Sequence, residues 1–321
     1  MQNIQALDSR LRGNDRKNLP TTFFDAHTHA SFPAYNEDRD AVIKRAKEVG
    51  VKMVTVGTQV SSSRAAIELA HEYPEDIWAT VGYHPAHAVS KSSSASVGAN
   101  SGWTGIWHHD KNEQKEDTPE AFDIEALEAL ARDPKVVAIG ECGLDYYVRD
   151  KRPFAFAQGR HETSDMGRET KDGQKEVFIR QIELANRVQK PLMIHCRSAF
   201  PDLISILHSK FYILHSNPGV IHFFSGTLAE ARELLDMGFA FTFGGVITFS
   251  RDYDEVIKIL PLEKILSETD APYVTPEPYR GKRNEPAYVV EVVKKLAEIK
   301  SISVDETASV IRANIKRIFG V

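Results

Sequence analysis

Phe23-Phe24-Asp25-Ala26-His27-Thr28-His29 is an apolar run that ends in two histidines at i and i+2, a spacing that places both imidazoles on one face of an extended chain. Seven further apolar runs follow, so that the strand candidates are residues 23–27, 52–57, 77–82, 136–141, 191–195, 219–223, 239–243 and 265–270. Four of the later runs end in further potential ligands: Glu141, His195, His222 and Asp270. The runs are largely non-alternating, as strands buried on both faces of a parallel sheet must be. Helical periodicity separates them. Phe178, Ile182 and Ala185 share one face of segment 174–190, which Pro191 stops. Gly50 and Gly238 stand where helices should end, Thr118-Pro119 reads as a helix start, and Ser303 with Glu306 has capping-box spacing. Strand and helix in eight-fold alternation predict an α/β fold, a (β/α)8 TIM barrel, whose strand ends converge on one mouth.

Three segments break the alternation. Residues 1–20 are polar and basic and read as a disordered N-terminal extension. Residues 88–118 begin with a serine-rich run, and residues 149–173 are charged without periodicity. Setting these aside leaves about 245 of the 321 residues, close to the roughly 250 of a barrel, so 21–321 is read as one domain with two loop insertions. Both insertions follow strands on the mouth side. Trp103, Trp107, His108 and His109 lie in the first, which is read as a solvated insertion.

The chemistry follows from the ligand types. Four histidines and two carboxylates make a mixed nitrogen and oxygen site that suits zinc, manganese or a similar divalent ion, whereas magnesium prefers more oxygen. One structural zinc would saturate at four ligands, so the set predicts two divalent ions. Glu141 stands between glycines, in Gly140-Glu141-Cys142-Gly143, where ions or substrate can approach closely, and its two oxygens can bridge two cations. Asp270, ending the eighth run, can bind metal and also accept a proton from water.

Other readings are excluded or left local. Only Cys142 and Cys196 are present, each beside a proposed ligand, so no disulfide framework is possible; both read as reduced packing residues. The formal charge of −5 and pI near 6.2 give no global attraction to nucleic acid. No apolar stretch is long enough for a bilayer, and residues 1–20 lack the apolar segment of a signal peptide, so a cytoplasmic protein with no membrane contact is expected.

These motifs resemble the TatD family of metal-dependent deoxyribonucleases, a branch of the amidohydrolase-like barrels. The resemblance spans nearly the whole core: Asp25-Ala26-His27-Thr28-His29, Gly82-Tyr83-His84-Pro85, the Gly140 to Asp145 stretch, Ile194-His195-Cys196-Arg197, His222 with Gly226, and Glu268 onward through Arg280-Gly281-Lys282-Arg283-Asn284-Glu285-Pro286. It implies one ion held by His27, His29, Glu141 and Asp270, and another by Glu141, His195 and His222. Many related barrels use a carbamylated lysine as bridge, but no lysine ends the fourth run here. His84 and Arg197 are expected to contact the scissile phosphate, Asp145 to orient a ligand, and Arg280, Lys282 and Arg283 to hold the nucleic-acid backbone without base preference.

The expected activity is hydrolysis of DNA phosphodiesters, trimming single strands from the 3′ end; the polarity comes from the resemblance alone. Catalysis is assigned to Asp270 and Glu141. No obligate protein partner is called for. An alternative is a hydrolase using the same centre on another bond, such as the ester of an aminoacyl-tRNA. A noncatalytic nucleic-acid-binding protein is the third reading, and the complete ligand set argues against it.

Overall fold

A computed structural model describes residues 22–88, 120–147, 168–210 and 217–321. The N-terminal extension, nearly all of the 88–118 insertion with its tryptophans and histidines, most of the 149–173 insertion and the Thr118-Pro119 helix start lie outside the described residues.

Eight strands form one parallel sheet in sequential order: β1 Phe23–Thr28, β2 Val51–Val56, β3 Ile77–Val81, β4 Val136–Asp145, β5 Leu192–Arg197, β6 Gly219–Ile221, β7 Ala240–Phe243 and β8 Ile265–Ser267. Every expected strand is found. The helices are α1 Arg39–Glu48, α2 Val60–Glu72, α3 Ile124–Ala131, α4 Arg168–Val188, α5 Phe200–Lys210, α6 Leu228–Asp236, α7 Asp254–Ile259, α8 Val289–Lys300 and α9 Val304–Phe319. Phe178, Ile182 and Ala185 are all buried on α4, as their spacing requires. Gly50 and Gly238 take left-handed φ of 75° and 92° just after α1 and α6. Ser303 caps α9 by accepting the Glu306 N–H at 3.1 Å.

Two boundaries differ from expectation. α3 starts at Ile124, where the Asp123 carboxylate accepts the N–H groups of Glu125 and Ala126. α4 starts at Arg168, so the end of the supposed insertion is its first turns; charged surface residues hide helical periodicity because only one face needs to be apolar.

The ring is closed by polar bonds between its first and last strands. Ser267 Oγ donates to the Phe24 carbonyl at 2.8 Å. Beyond β8, the wholly buried Asp25 carboxylate accepts the Thr269 N–H at 2.9 Å and the Thr269 hydroxyl at 2.5 Å. Asp270 N then donates to His27 O at 2.9 Å, and His29 N to Ala271 O at 2.8 Å. These bonds satisfy backbone groups that would otherwise be stranded in the interior, and they fix the loop carrying Asp270 against the end of β1. Asp25→Ala strands two donors of Thr269 in a dry site and is expected to lower unfolding free energy by about 3 kcal/mol, read as a fall in the denaturant midpoint at constant m-value.

Candidate metal centre

The strand ends carry the ligands because the strands are irregular there. Pairing of β1 with β2 shifts register between Asp25 and Thr28, and pairing of β4 with β5 shifts between Ile139 and Cys142. Each irregularity brackets a ligand, His27 or Glu141, and such bulges re-aim side chains near functional sites. The glycines flanking Glu141 serve this strand geometry. A Cβ at Gly140 would stand 2.4 Å from Met193 O, and one at Gly143, whose φ is +136°, 2.0 Å from His195 O. The room they leave is filled by β5; the expectation that it admits ions or substrate is corrected accordingly. Left-handed φ recurs around the mouth at Ser198 (55°), Phe223 (45°), Asp270 (54°) and Val274 (46°). For a β-branched valine and a bulky phenylalanine this conformation costs energy that only a constrained surrounding sustains.

All six expected ligands converge. Glu141 is 4% exposed, and its two oxygens face different groups. Oε1 lies 2.9 Å from His195 Nδ1 and 2.9 Å from His222 Nε2; Oε2 lies 3.5 Å from His27 Nε2 and 3.7 Å from His29 Nε2. Asp270 Oδ1 closes the first half at 3.3 Å from His29 Nε2 and 3.6 Å from His27 Nε2. The ring nitrogens also face each other, at 3.3 Å for His27 and His29 and at 3.2 Å for His195 and His222. Two ligands about 2.0 to 2.1 Å from one ion at tetrahedral angle lie roughly 3.4 Å apart. The observed spacings fit cation coordination in both halves.

The far side of each ring supports the same reading. His29 Nδ1 is 3.2 Å from the Val56 carbonyl and His27 Nδ1 is 3.1 Å from Met193 Sδ. His222 Nδ1 and His195 Nε2 each stand 3.6 Å from a carboxylate, Glu268 and Asp145 respectively. An acceptor outside each ring orients its inner nitrogen toward the cluster, the arrangement that metal-ligating imidazoles adopt. His84 is the reverse. Its Nδ1 accepts the Ala86 N–H at 3.1 Å, so Nε2 carries the proton toward Glu141 Oε1, 3.3 Å away. It stands inside the cluster as a hydrogen-bond donor.

Burial drives the electrostatics, and the charges of the cluster decide where it is overridden. It pushes the His27 and His84 pKa values down. It would raise Glu141, but the surrounding imidazoles hold that carboxyl well below its ordinary range. Burial likewise opposes charge on His222 and His195, yet Glu141 with Glu268 raises the first well above its usual value, and Asp145 with Glu141 raises the second. The acidic neighbours of His195 and His222 thus favour positive charge on that side of the cluster.

The expected substrate contacts have varied surroundings. Arg197 meets Asp145 through Nε at 3.1 Å and Nη2 at 3.0 Å, so Asp145 links this guanidinium to His195. Arg283 pairs with Asp38 at 2.6 Å and donates to the Ala34 carbonyl, which gives it an anchoring role between the last loop and the segment before α1. Arg280 donates to the Thr275 carbonyl at 2.8 Å, and Lys282 Nζ stands 5.6 Å from the Tyr279 ring centroid. Cys142 and Cys196 are both free and buried, as expected.

Sequence reading passed over Glu268. It is wholly buried, accepts the Thr242 hydroxyl at 2.5 Å, and lies with His27 and His222 in a group whose ligand atoms fall within 4.8 Å of one another. The signal was available: Glu268 is two residues before Asp270, the same spacing that had singled out His27 and His29.

The profile of the family described as TatD related DNase matches residues 24–320. The protein of Bacillus subtilis (strain 168) named uncharacterized metal-dependent hydrolase YabD is 36% identical over 301 residues, covering 93% of this chain and 99% of that protein. The 3′-5′ ssDNA/RNA exonuclease TatD of Citrobacter rodentium (strain ICC168) is 32% identical over 307 residues, covering 93% and 98%. Among solved structures, YJJV, the TatD homolog of Escherichia coli K12, superposes with a TM-score of 0.72 at 27% identity, covering 94% of this chain and all of that one.

Glu268→Gln keeps an acceptor for Thr242 but removes the charge behind His222. Its expected effect is a 10- to 100-fold weaker hold on divalent metal in a chelator competition, with thermal stability retained. Because the pKa values of His195 and His222 are raised and a metal must displace any proton they hold, metal affinity should rise with pH, and calorimetry in buffers of different ionisation enthalpy should register proton release on binding.

Proposed function

We propose, from the premise that this chain belongs to the TatD-related DNase family, that it is a two-metal phosphodiesterase trimming single-stranded DNA from the 3′ end. The observation that carries the reading is the division of Glu141, one oxygen toward His195 and His222 and the other toward His27 and His29. One ion would be held by His27, His29, Glu141 and Asp270, and the other by Glu141, His195 and His222, with manganese, zinc or magnesium as candidates. Bound there, such ions offset phosphate charge and acidify water.

The chain's own groups supply the rest. Asp270 has the most exposed carboxylate of the ligand set, at 16% for its side chain against 5% for Glu141, and so it is the acid best placed to take the proton of an attacking water. As the oxygen attacks phosphorus, the bond to the leaving 3′ oxygen breaks, and that oxygen takes a proton from solvent to become the 3′ hydroxyl of the shortened strand. His84, whose Nε2–H faces Glu141 Oε1 across 3.3 Å, would redirect that donor to a phosphate oxygen when substrate enters. Arg197, held in orientation by Asp145, stabilises charge on the phosphate in the transition state. Arg280 and Lys282 meet the backbone of the nucleic acid, and Arg283 acts one step back by holding their loop to Asp38.

Support for polarity and strand preference comes from the name of the Citrobacter relative, a 3′-5′ ssDNA/RNA exonuclease, and that name makes RNA a substrate to be compared with DNA. Two buried free thiols suit a reducing, cytoplasmic setting, and no described helix is long and apolar enough to cross a membrane.

Two measurements check the reading. Glu141→Ala should abolish turnover and lower bound metal, because it removes a ligand from both halves; an unchanged metal-to-protein ratio by elemental analysis is incompatible with a bridge. Stripping the protein and restoring magnesium, manganese or zinc separately should recover cleavage of a 3′-labelled single strand faster than of duplex. Release of amino acid from charged tRNA without cleavage of any oligonucleotide would replace the proposal by the deacylase alternative.

A further inference from the structure

Four large apolar side chains are exposed among the described residues: Val49, Tyr147, Phe249 and Ile259. Val49 follows α1 and Ile259 ends α7, at the barrel end away from the ligands. The other two lie on loops at the mouth, and each is stacked with an arginine. Tyr147 follows β4, and the Arg197 guanidinium stands 4.3 Å from its ring centroid. Phe249 follows the turn after β7, with the Arg280 guanidinium 4.1 Å from its centroid.

Both pairs are held in place from below. Asp145 accepts the Tyr147 N–H at 3.0 Å through the same carboxylate that grips Arg197. On the other side Thr248 Oγ1 accepts the Glu277 N–H at 2.9 Å and donates to Gly245 O at 2.7 Å, which ties the β7 loop to the β8 loop, while Arg280 is fixed by the Thr275 carbonyl. Tyr147 and Phe249 are 46% and 41% exposed, two of the four large apolar residues so exposed among the described residues. An exposed aromatic ring held beside a cation is the construction that stacks nucleobases, because every base has a π face and the adjoining cation meets the phosphate. One such pair stands on the β4/β5 side of the centre and the other on the β7/β8 side.

We infer that Tyr147 and Phe249 are nucleobase-stacking platforms, one on each side of the phosphate delivered to the Glu141 centre. The inference rests on the nucleic-acid reading above and adds to it the way bases are gripped. It accounts for a preference for single strands, since paired and stacked bases present no free face, and it requires tolerance of base identity.

The test compares a single-stranded oligonucleotide with an abasic strand of equal length. Tyr147→Ala and Phe249→Ala should each lower the ratio of kcat/KM for the normal over the abasic strand roughly tenfold, mostly through KM. Tyr147→Phe and Phe249→Tyr should keep the parent ratio, and melting curves check that all four variants fold. In a separate arm, Tyr147→Trp and Phe249→Trp report binding of a cleavage-resistant phosphorothioate strand by fluorescence quenching beyond that of the parent, and the abasic phosphorothioate should not quench. An unchanged ratio in both alanine variants, or equal quenching by the two strands, overturns the platforms even if cleavage is intact. If the parent cleaves no nucleic acid, the nuclease reading falls by itself, and the quenching arm still decides the platforms: base-dependent quenching upholds them and its absence overturns them.

Discussion

A carboxylate taken out of water among apolar strands is tolerated only when opposite charge compensates it, and Glu141 is the point on which that balance turns. Five imidazoles have a nitrogen within 4 Å of one of its oxygens. The outer acceptors, Val56 O, Met193 Sδ, Glu268 and Asp145, then follow as a requirement, since each ring must dispose of its second nitrogen. The register shifts in β1 and β4 and the left-handed backbone after β5, β6 and β8 deliver these groups to one place. Removing the central charge would leave several of these arrangements without a purpose.

The barrel was legible in the chain because burial on both strand faces leaves a strong mark: eight largely apolar runs correspond to eight strands. The convergence of the six candidate ligands was legible for a related reason: one histidine at the end of such a run is more often a hydrogen-bonded core residue, but six such groups at five run ends must meet at one barrel mouth. Glu268 offered only its spacing from Asp270; the contacts that give that spacing meaning, with Thr242 and His222, come from distant parts of the chain. Arg283 illustrates the same limit. Its place in a basic cluster pointed to phosphate, while its ion pair with Asp38 joins residues 245 positions apart. The start of α4 was missed for the opposite reason: a helix whose first turns are charged looks like a solvated loop until its backbone is seen.

Arg197 connects the centre with its rim. One end of its environment is Asp145, which faces His195, and the other is the ring of Tyr147. A single side chain thereby joins the carboxylate facing His195 to an exposed ring at the mouth, so changes at this arginine will not act on the two independently.

The closure of the ring between β8 and β1 bears on how the protein comes into being. His27 and His29 leave the ribosome early, whereas Asp270 and the Thr269 contacts that seat it against β1 arrive only when most of the chain has been made. A chain cut short before β8 therefore lacks the carboxylate that faces these two imidazoles. The grouping of His27, His29, Glu141 and Asp270 is complete only when synthesis is nearly done.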